Sequence, residues 1–367
     1  MVSGFLSKEY FCDREEELST LINHIENQRN IVIYGNRRMG KTALIKCLFE
    51  SLKNEKTECF HVDIMACQNL NSVIQLIGKA VINKYGKNKL GEGFTKEFTK
   101  LLSQLKVTIG IDPLTHAPEI SMGLQNSEDA ETTLHEIGKY LTSKSEQIVF
   151  CIDEFQQITT FSENNTEAIF RNWMQSFPTI RFIFSGSHKS MIESMFTQKN
   201  RPFYQSCNLL FLNPISEPLY QTFIQYHFQK EDTLISMEEI HTIYQWAEGQ
   251  TYSVQLQCNL LYSKNVGITE SSIAEVQQDI LDQDKPYFGY LYNMLTLQQQ
   301  KVLKAIASNL ENLPLLSSRF IQNHNLGSMS SVQGAIKSLL DKDLIELTSE
   351  NYVLTDVIFK NWLKSIP

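Results

Sequence analysis

Gly35-Asn36-Arg37-Arg38-Met39-Gly40-Lys41-Thr42 constrains this chain more than any other segment. It fits GxxxxGK[ST] and lies between a short β-branched run, Asn30 to Tyr34, and a helical pattern that opens with Thr42 and Ala43. A strand that turns through such a loop into a helix aims backbone N–H groups and the positive helix end at one point. That point suits a phosphate group. In this arrangement the loop amides hold a β-phosphate, Lys41 bridges the β- and γ-phosphates, and the Thr42 hydroxyl is a ligand for Mg2+. Residues 35–43 are therefore the candidate nucleotide-binding segment.

A second constellation is the apolar strand Gln147 to Ile152, which ends in Asp153 and Glu154. Strand alternation sends two adjacent side chains in different directions. Asp153 is then placed to hold Mg2+ through water opposite Thr42, and Glu154 to polarise the water that attacks a γ-phosphate. The plainer alternative is an acidic pair that only closes a buried strand. An adjacent Asp-Glu pair argues against small-molecule kinases and GTPases, which seldom carry the glutamate. The next strand ends in Ser185-Gly186-Ser187-His188. Ser185 is the candidate γ-phosphate contact at the C-terminal edge of the sheet, with Ser187 or a simple strand-ending turn as alternatives.

Short apolar runs alternate with amphipathic stretches through the first 213 residues, the pattern of a parallel sheet covered by helices. Expected strands are 30–34, 59–63, 147–153, 180–185 and 209–212, with a hairpin insertion at about 105–123. From Pro214 apolar residues recur at helical spacing, as in Tyr220, Phe223, Ile224 and Phe228. The C-terminal part reads helix, short helix, helix 330–340 and a two-strand wing, the order of a winged helix-turn-helix. Three domains are expected: a P-loop ATPase domain at 1–213, a helical lid at 214–284 and a winged-helix domain at 285–367. Charge separates them, since 214–284 holds two basic residues against eleven acidic ones, whereas 285–367 holds eight against six.

Hydrophobic residues make up 42% and charged residues 20%, which excludes a disordered chain. The longest apolar run, Ile148 to Ile152, is too short to cross a bilayer, and no signal peptide is read at the N-terminus. A cytoplasmic location is expected. Seven cysteines without CxxC spacing are read as buried thiols.

With these motifs in order, the chain resembles the archaeal-type P-loop ATPases of the STAND branch of the AAA+ superfamily. The resemblance rests on Phe11-Cys-Asp-Arg14-Glu-Glu-Glu17, the Walker A loop 35–42, Ile152-Asp-Glu-Phe-Gln156 as Walker B, Phe184-Ser-Gly-Ser187, and Arg201-Pro-Phe-Tyr204. It continues through Gly249-Gln-Thr-Tyr-Ser-Val-Gln255 and a winged helix ending at Leu354-Thr-Asp-Val-Ile-Phe359. It implies ATP or ADP bound between sheet domain and lid, with Phe11, Arg14 and Glu17 near the adenine and Gly249 closing from the lid; read from the residues alone, the same box is a capped amphipathic helix with Asp13 as N-cap. It also implies a nucleotide-driven switch read out by the C-terminal module.

One departure concerns arginine. No arginine occurs between Arg201 and Arg319, so a lid arginine reaching the γ-phosphate is absent. Arg201 is the preferred finger, in cis or in trans, with Arg171, Arg37 and Arg38 as other candidates and a surface salt bridge as the alternative role. A winged helix also raises DNA binding. Helix 330–340 offers Ser331, Gln333 and Lys337 to base edges, but only one cation, and the wing carries Glu346 and Glu350. The reading is a Mg2+-dependent ATPase, slow or partner-stimulated, acting on another protein or by self-association through the lid or winged helix. A DNA-binding AAA+ regulator and a non-hydrolysing nucleotide-binding scaffold are the alternatives, and no membrane partner is expected.

Overall fold

The computed structural model describes residues 11–53, 56–87, 96–105, 107–111, 118–122, 127–163, 165–264, 267–309, 313–348 and 351–366. Glu350, Asn164, Lys106 and the expected hairpin turn at 112–117 lie outside them. Two compact units emerge. One comprises Glu15–Gly35 and Lys41–Leu212, and the other residues 11–14, 36–40 and 213–366.

The first unit is a five-stranded parallel sheet covered by helices, the α/β architecture expected. Its strands are β1 (Ile31–Tyr34), β2 (Thr57–Asp63), β5 (Gln147–Asp153), β6 (Arg181–Gly186) and β7 (Asn208–Phe211), in the order β2-β5-β6-β1-β7. Between β2 and β5 a separate antiparallel pair, β3 (Val107–Ile111) and β4 (Pro118–Met122), joins Val107 to Met122. The helices of this unit are α1 (Glu15–Glu26), α2 (Lys41–Leu52), α3 (Leu70–Lys87), α4 (Lys96–Gln104), α5 (Ser127–Thr142), α6 (Thr166–Ser176) and α7 (Lys189–Thr197).

Strand β5 lies inside the sheet and is buried on both faces, which explains an apolar run without alternation. All five strands run the same way, so β1, β5 and β6 end at one edge, where Gly35, Asp153 and Gly186 emerge. Beneath that edge Phe155, fully buried, meets Phe184 at 4.3 Å and Phe203 at 5.3 Å between ring centroids. This aromatic layer anchors the turn that follows β5. At the wholly buried Cys151 burial raises the thiol pKa, as at Cys207 and Cys258, where it reaches about 12.

The second unit is helical, with α8 (Glu217–Lys230), α9 (Met237–Ala247), α10 (Thr251–Lys264), α11 (Glu270–Asn293), α12 (Leu297–Ala307), α13 (Ser318–Asn323), α14 (Met329–Asp341) and α15 (Val357–Ser365). A short antiparallel wing, β8 (Ile345–Leu347) with β9 (Tyr352–Leu354), completes it. Capping boxes start α9 at Ser236 and α12 at Thr296, each closing two otherwise orphaned N–H groups. The apolar faces of these helices share one core. Helix α11 runs unbroken through Pro286 to Asn293. Among the described residues no helix is long and apolar enough to cross a membrane.

Candidate active site

Within the sheet unit, the edge formed by β1, β5 and β6 gathers the expected chemistry. Lys41 opens α2, is 6% exposed, and donates from Nζ to the Gly35 carbonyl at 2.9 Å. Thr42 Oγ1 donates to Asp153 Oδ2 at 3.0 Å, which brings the two candidate metal residues together. Ser185, wholly buried, gives its hydroxyl to Asp153 Oδ1, and the Glu154 backbone N–H reaches the same oxygen at 3.0 Å. His61 on β2 places Nε2 at 3.2 Å from Asp153 Oδ2.

Burial by itself raises the pKa of Asp153, but the hydrogen bonds from His61, Ser185 and Thr42 outweigh it and bring the value down to about 2. The carboxylate is thus ionised throughout the neutral range. A hydroxyl and an ionised carboxylate in contact are hard oxygen donors, and such a set fits Mg2+.

Glu154 diverges from Asp153 for a different reason than strand alternation. It leaves β5 in the left-handed region, with φ 56° and ψ 42°, and starts a 3-10 turn over Phe155–Thr160. Its carboxylate turns toward Ser187 Oγ at 2.7 Å and Gln156 Nε2 at 2.6 Å. Ser185 and Ser187 therefore divide the two carboxylates between them. Arg201 is paired with Glu167 on α6 in the same unit.

Loop residues 36–40 are packed with the helical unit. Gly40 has φ 90°, a conformation that side chains rarely adopt, so glycine is required to close the loop before Lys41. The segment following Gly249 meets the loop backbone: Tyr252 N–H donates to Arg38 O at 3.1 Å, Thr251 Oγ1 to Met39 O at 3.4 Å, and Gln250 Nε2 to Arg37 O at 3.5 Å. Arg14, 4% exposed, reaches Met39 O at 3.4 Å, while Phe11 is half-buried. Arg38 stacks on the Tyr252 ring at 4.9 Å.

The loop side chains point to the winged helix. Arg37 pairs with Asp343 at 2.7 Å, Arg38 with Asp356 at 2.9 Å, and Asn36 Nδ2 donates to Glu346. Asp356 also caps α15, accepting from the N–H groups of Ile358 and Phe359. Ala43 is half-buried in the first turn of α2. On α14 the side chains of Ser331, Gln333 and Lys337 are exposed.

His61 and Gln156 carry no pattern of their own in the sequence. His61 is found only through the register that sets it beside Cys151, two residues before Asp153. Gln156 is found only through the turn at Glu154. The acids Asp343 and Asp356 were legible as charges, but nothing local in the sequence marks Arg37 and Arg38 as their partners.

Sheet, loop and wing together define an α/β P-loop ATPase core followed by a winged helix. Residues 11–256 match the model of an ATPase domain predominantly from Archaea, and residues 286–365 that of a probable winged helix domain. The chain belongs to this archaeal ATPase family. Among solved structures it is similar to the Walker-type ATPase PABY2304 of Pyrococcus abyssi, at 16% identity and TM-score 0.69 over 99% of each chain. It is also similar to the Aeropyrum pernix ORC2 protein in ADPNP-ADP complexes, at 13% identity and TM-score 0.58 over 98% of this chain and 97% of that one. The Aeropyrum pernix ORC1 protein, solved in complex with DNA, follows at 13% identity and TM-score 0.52, over 98% and 94%. These likenesses establish the fold. No curated protein matches the chain.

Proposed function

We propose that this protein is a Mg2+-dependent ATPase of the AAA+/STAND type whose nucleotide state sets the position of a lid, residues 214–284, and a winged helix, residues 285–367. The observation that carries the reading is the hydrogen bond from Thr42 to an ionised Asp153, with Glu154 next to it in sequence but turned away. Mg2+ held by Thr42 and, through water, by Asp153 would neutralise charge on the β- and γ-phosphates. Lys41 supplies a fixed positive charge to the same phosphates. Glu154 accepts the proton of the attacking water as its oxygen bonds to the γ-phosphorus. The bond from that phosphorus to the β–γ bridging oxygen breaks, and the electron pair leaves with ADP. Ser185 supports this arrangement by orienting Asp153.

Hydrolysis by Glu154 distinguishes this reading from a scaffold that only binds nucleotide. The switch is supported by Arg37 and Arg38, which lie in the phosphate loop and pair with winged-helix carboxylates. Phosphate oxygens entering the loop compete for those guanidinium groups, which couples nucleotide to winged helix. The partner is another protein or a second copy. DNA, present in the ORC1 complex, is the weaker alternative because α14 exposes a single cation, Lys337. Arg201, tied to Glu167, serves as a finger only after that pair opens.

The test is ATP turnover across protein concentration for wild type and Lys41→Ala, with molecular mass followed by light scattering. Turnover that needs Mg2+ and Lys41 is expected. A wild type that binds ATP without hydrolysing it contradicts the proposal in favour of the scaffold.

A further inference from the structure

Among the described residues, every donor that meets the Glu154 carboxylate meets the same oxygen. Ser187 Oγ at 2.7 Å, the Ser187 backbone N–H at 3.3 Å and Gln156 Nε2 at 2.6 Å all converge on Oε2. Among the described residues no donor hydrogen-bonds to Oε1. The donors are held in turn, with Ser187 8% and Gln156 6% exposed. A Cβ on Gly186 would stand 2.3 Å from Gln156 Oε1, so the glycine between Ser185 and Ser187 makes the room that Gln156 occupies. The turn carrying Glu154 and Gln156 is pinned from below by Phe155, which is wholly buried.

We propose that Ser187 and Gln156 are positioning residues that tether Glu154 by Oε2, leaving Oε1 as the oxygen that takes the proton from the hydrolytic water. This rests on the ATPase reading above. A glutamate side chain samples many rotamers in solution, and a general base is effective only when its oxygen lies within hydrogen-bond reach of the proton it removes. Three donors on one oxygen select a single rotamer before nucleotide arrives. Water then meets a carboxylate whose remaining lone pairs face one direction. Neither residue touches the reacting atoms; each acts through Glu154.

The experiment measures steady-state ATP turnover and the affinity for a fluorescent ATP analogue, using the full chain. Ser187→Ala and Gln156→Ala are each expected to lower kcat about tenfold, with KM and analogue affinity changed by less than about twofold. Ser187→Thr, which keeps the hydroxyl, is expected to restore most of kcat. In a Glu154→Gln background, Ser187→Ala is expected to change the residual rate by less than about twofold, because the residue through which it acts is gone. Alanine variants that keep wild-type kcat, or exceed it because the tether holds Glu154 away from water, overturn the proposal while leaving the ATPase reading intact. Lost analogue affinity in both alanine variants also overturns it, since the role is then structural. Absence of turnover in wild type overturns both together.

Discussion

Asp153 gathers the hydrogen bonds of the candidate site on one side chain, and its ionisation can be followed directly. Its pKa in the folded protein is about 2, below the ordinary value of 3.8, so it stabilises the fold fully above pH 4 and loses that contribution as pH falls through 2. The contribution is on the order of 2 kcal/mol. Asp153→Asn has no such titration. The stability difference between wild type and Asp153→Asn, read by denaturant unfolding, is expected to shrink by about that amount between pH 5 and pH 2. A difference that stays constant over this window contradicts the assignment. The residue level was also where the sequence was most and least informative. Lys41, Thr42, Asp153 and Glu154 were legible because the spacing of a phosphate loop and the end of an apolar strand are local patterns. His61, Gln156 and the separate duties of Ser185 and Ser187 were not, because each depends on strand register or on the left-handed turn at Glu154.

That turn makes the β5 segment the decisive element. Asp153 closes the strand, Glu154 reverses direction, and Phe155 drops into an aromatic layer with Phe184 and Phe203. Removing the ring leaves a cavity beneath the sheet edge that carries Asp153 and Glu154. Phe155→Ala is expected to cost about 3–5 kcal/mol in chemical unfolding, and Phe155→Leu markedly less. Because the ring fixes the turn, Phe155→Leu is also expected to lower kcat while nucleotide affinity is retained. An unchanged kcat in a folded Phe155→Leu protein contradicts the link between layer and turn. Strand positions along β5 were readable from composition, since a strand buried on both faces is a continuous apolar run. Sheet order was not, because pairing between β5 and β6 joins residues about thirty positions apart through backbone groups that carry no side-chain signature.

For the whole molecule, the phosphate loop and the winged helix are joined by charge. Arg37 with Asp343 and Arg38 with Asp356 are partly exposed pairs, each contributing at most about 1 kcal/mol and weakened by salt. A weak latch suits the proposed switch, since a bound triphosphate can outcompete it. Asp343→Asn with Asp356→Asn removes both charges, while asparagine still caps α15. Amide hydrogen exchange at residues 36–40 is expected to rise a few-fold in this variant, and about equally in wild type at high salt. Unchanged exchange in both cases contradicts the latch. Its charges were visible in the sequence, but their pairing links positions more than three hundred residues apart and has no local signal.

The central claim is that Glu154 makes this nucleotide-binding fold a hydrolase. Single-turnover hydrolysis of radiolabelled ATP by wild type and Glu154→Gln, with binding measured in parallel, tests it most directly. Equal ATP binding and a hydrolysis rate at least about a hundredfold lower in Glu154→Gln are expected. Equal hydrolysis rates in the two proteins would contradict it.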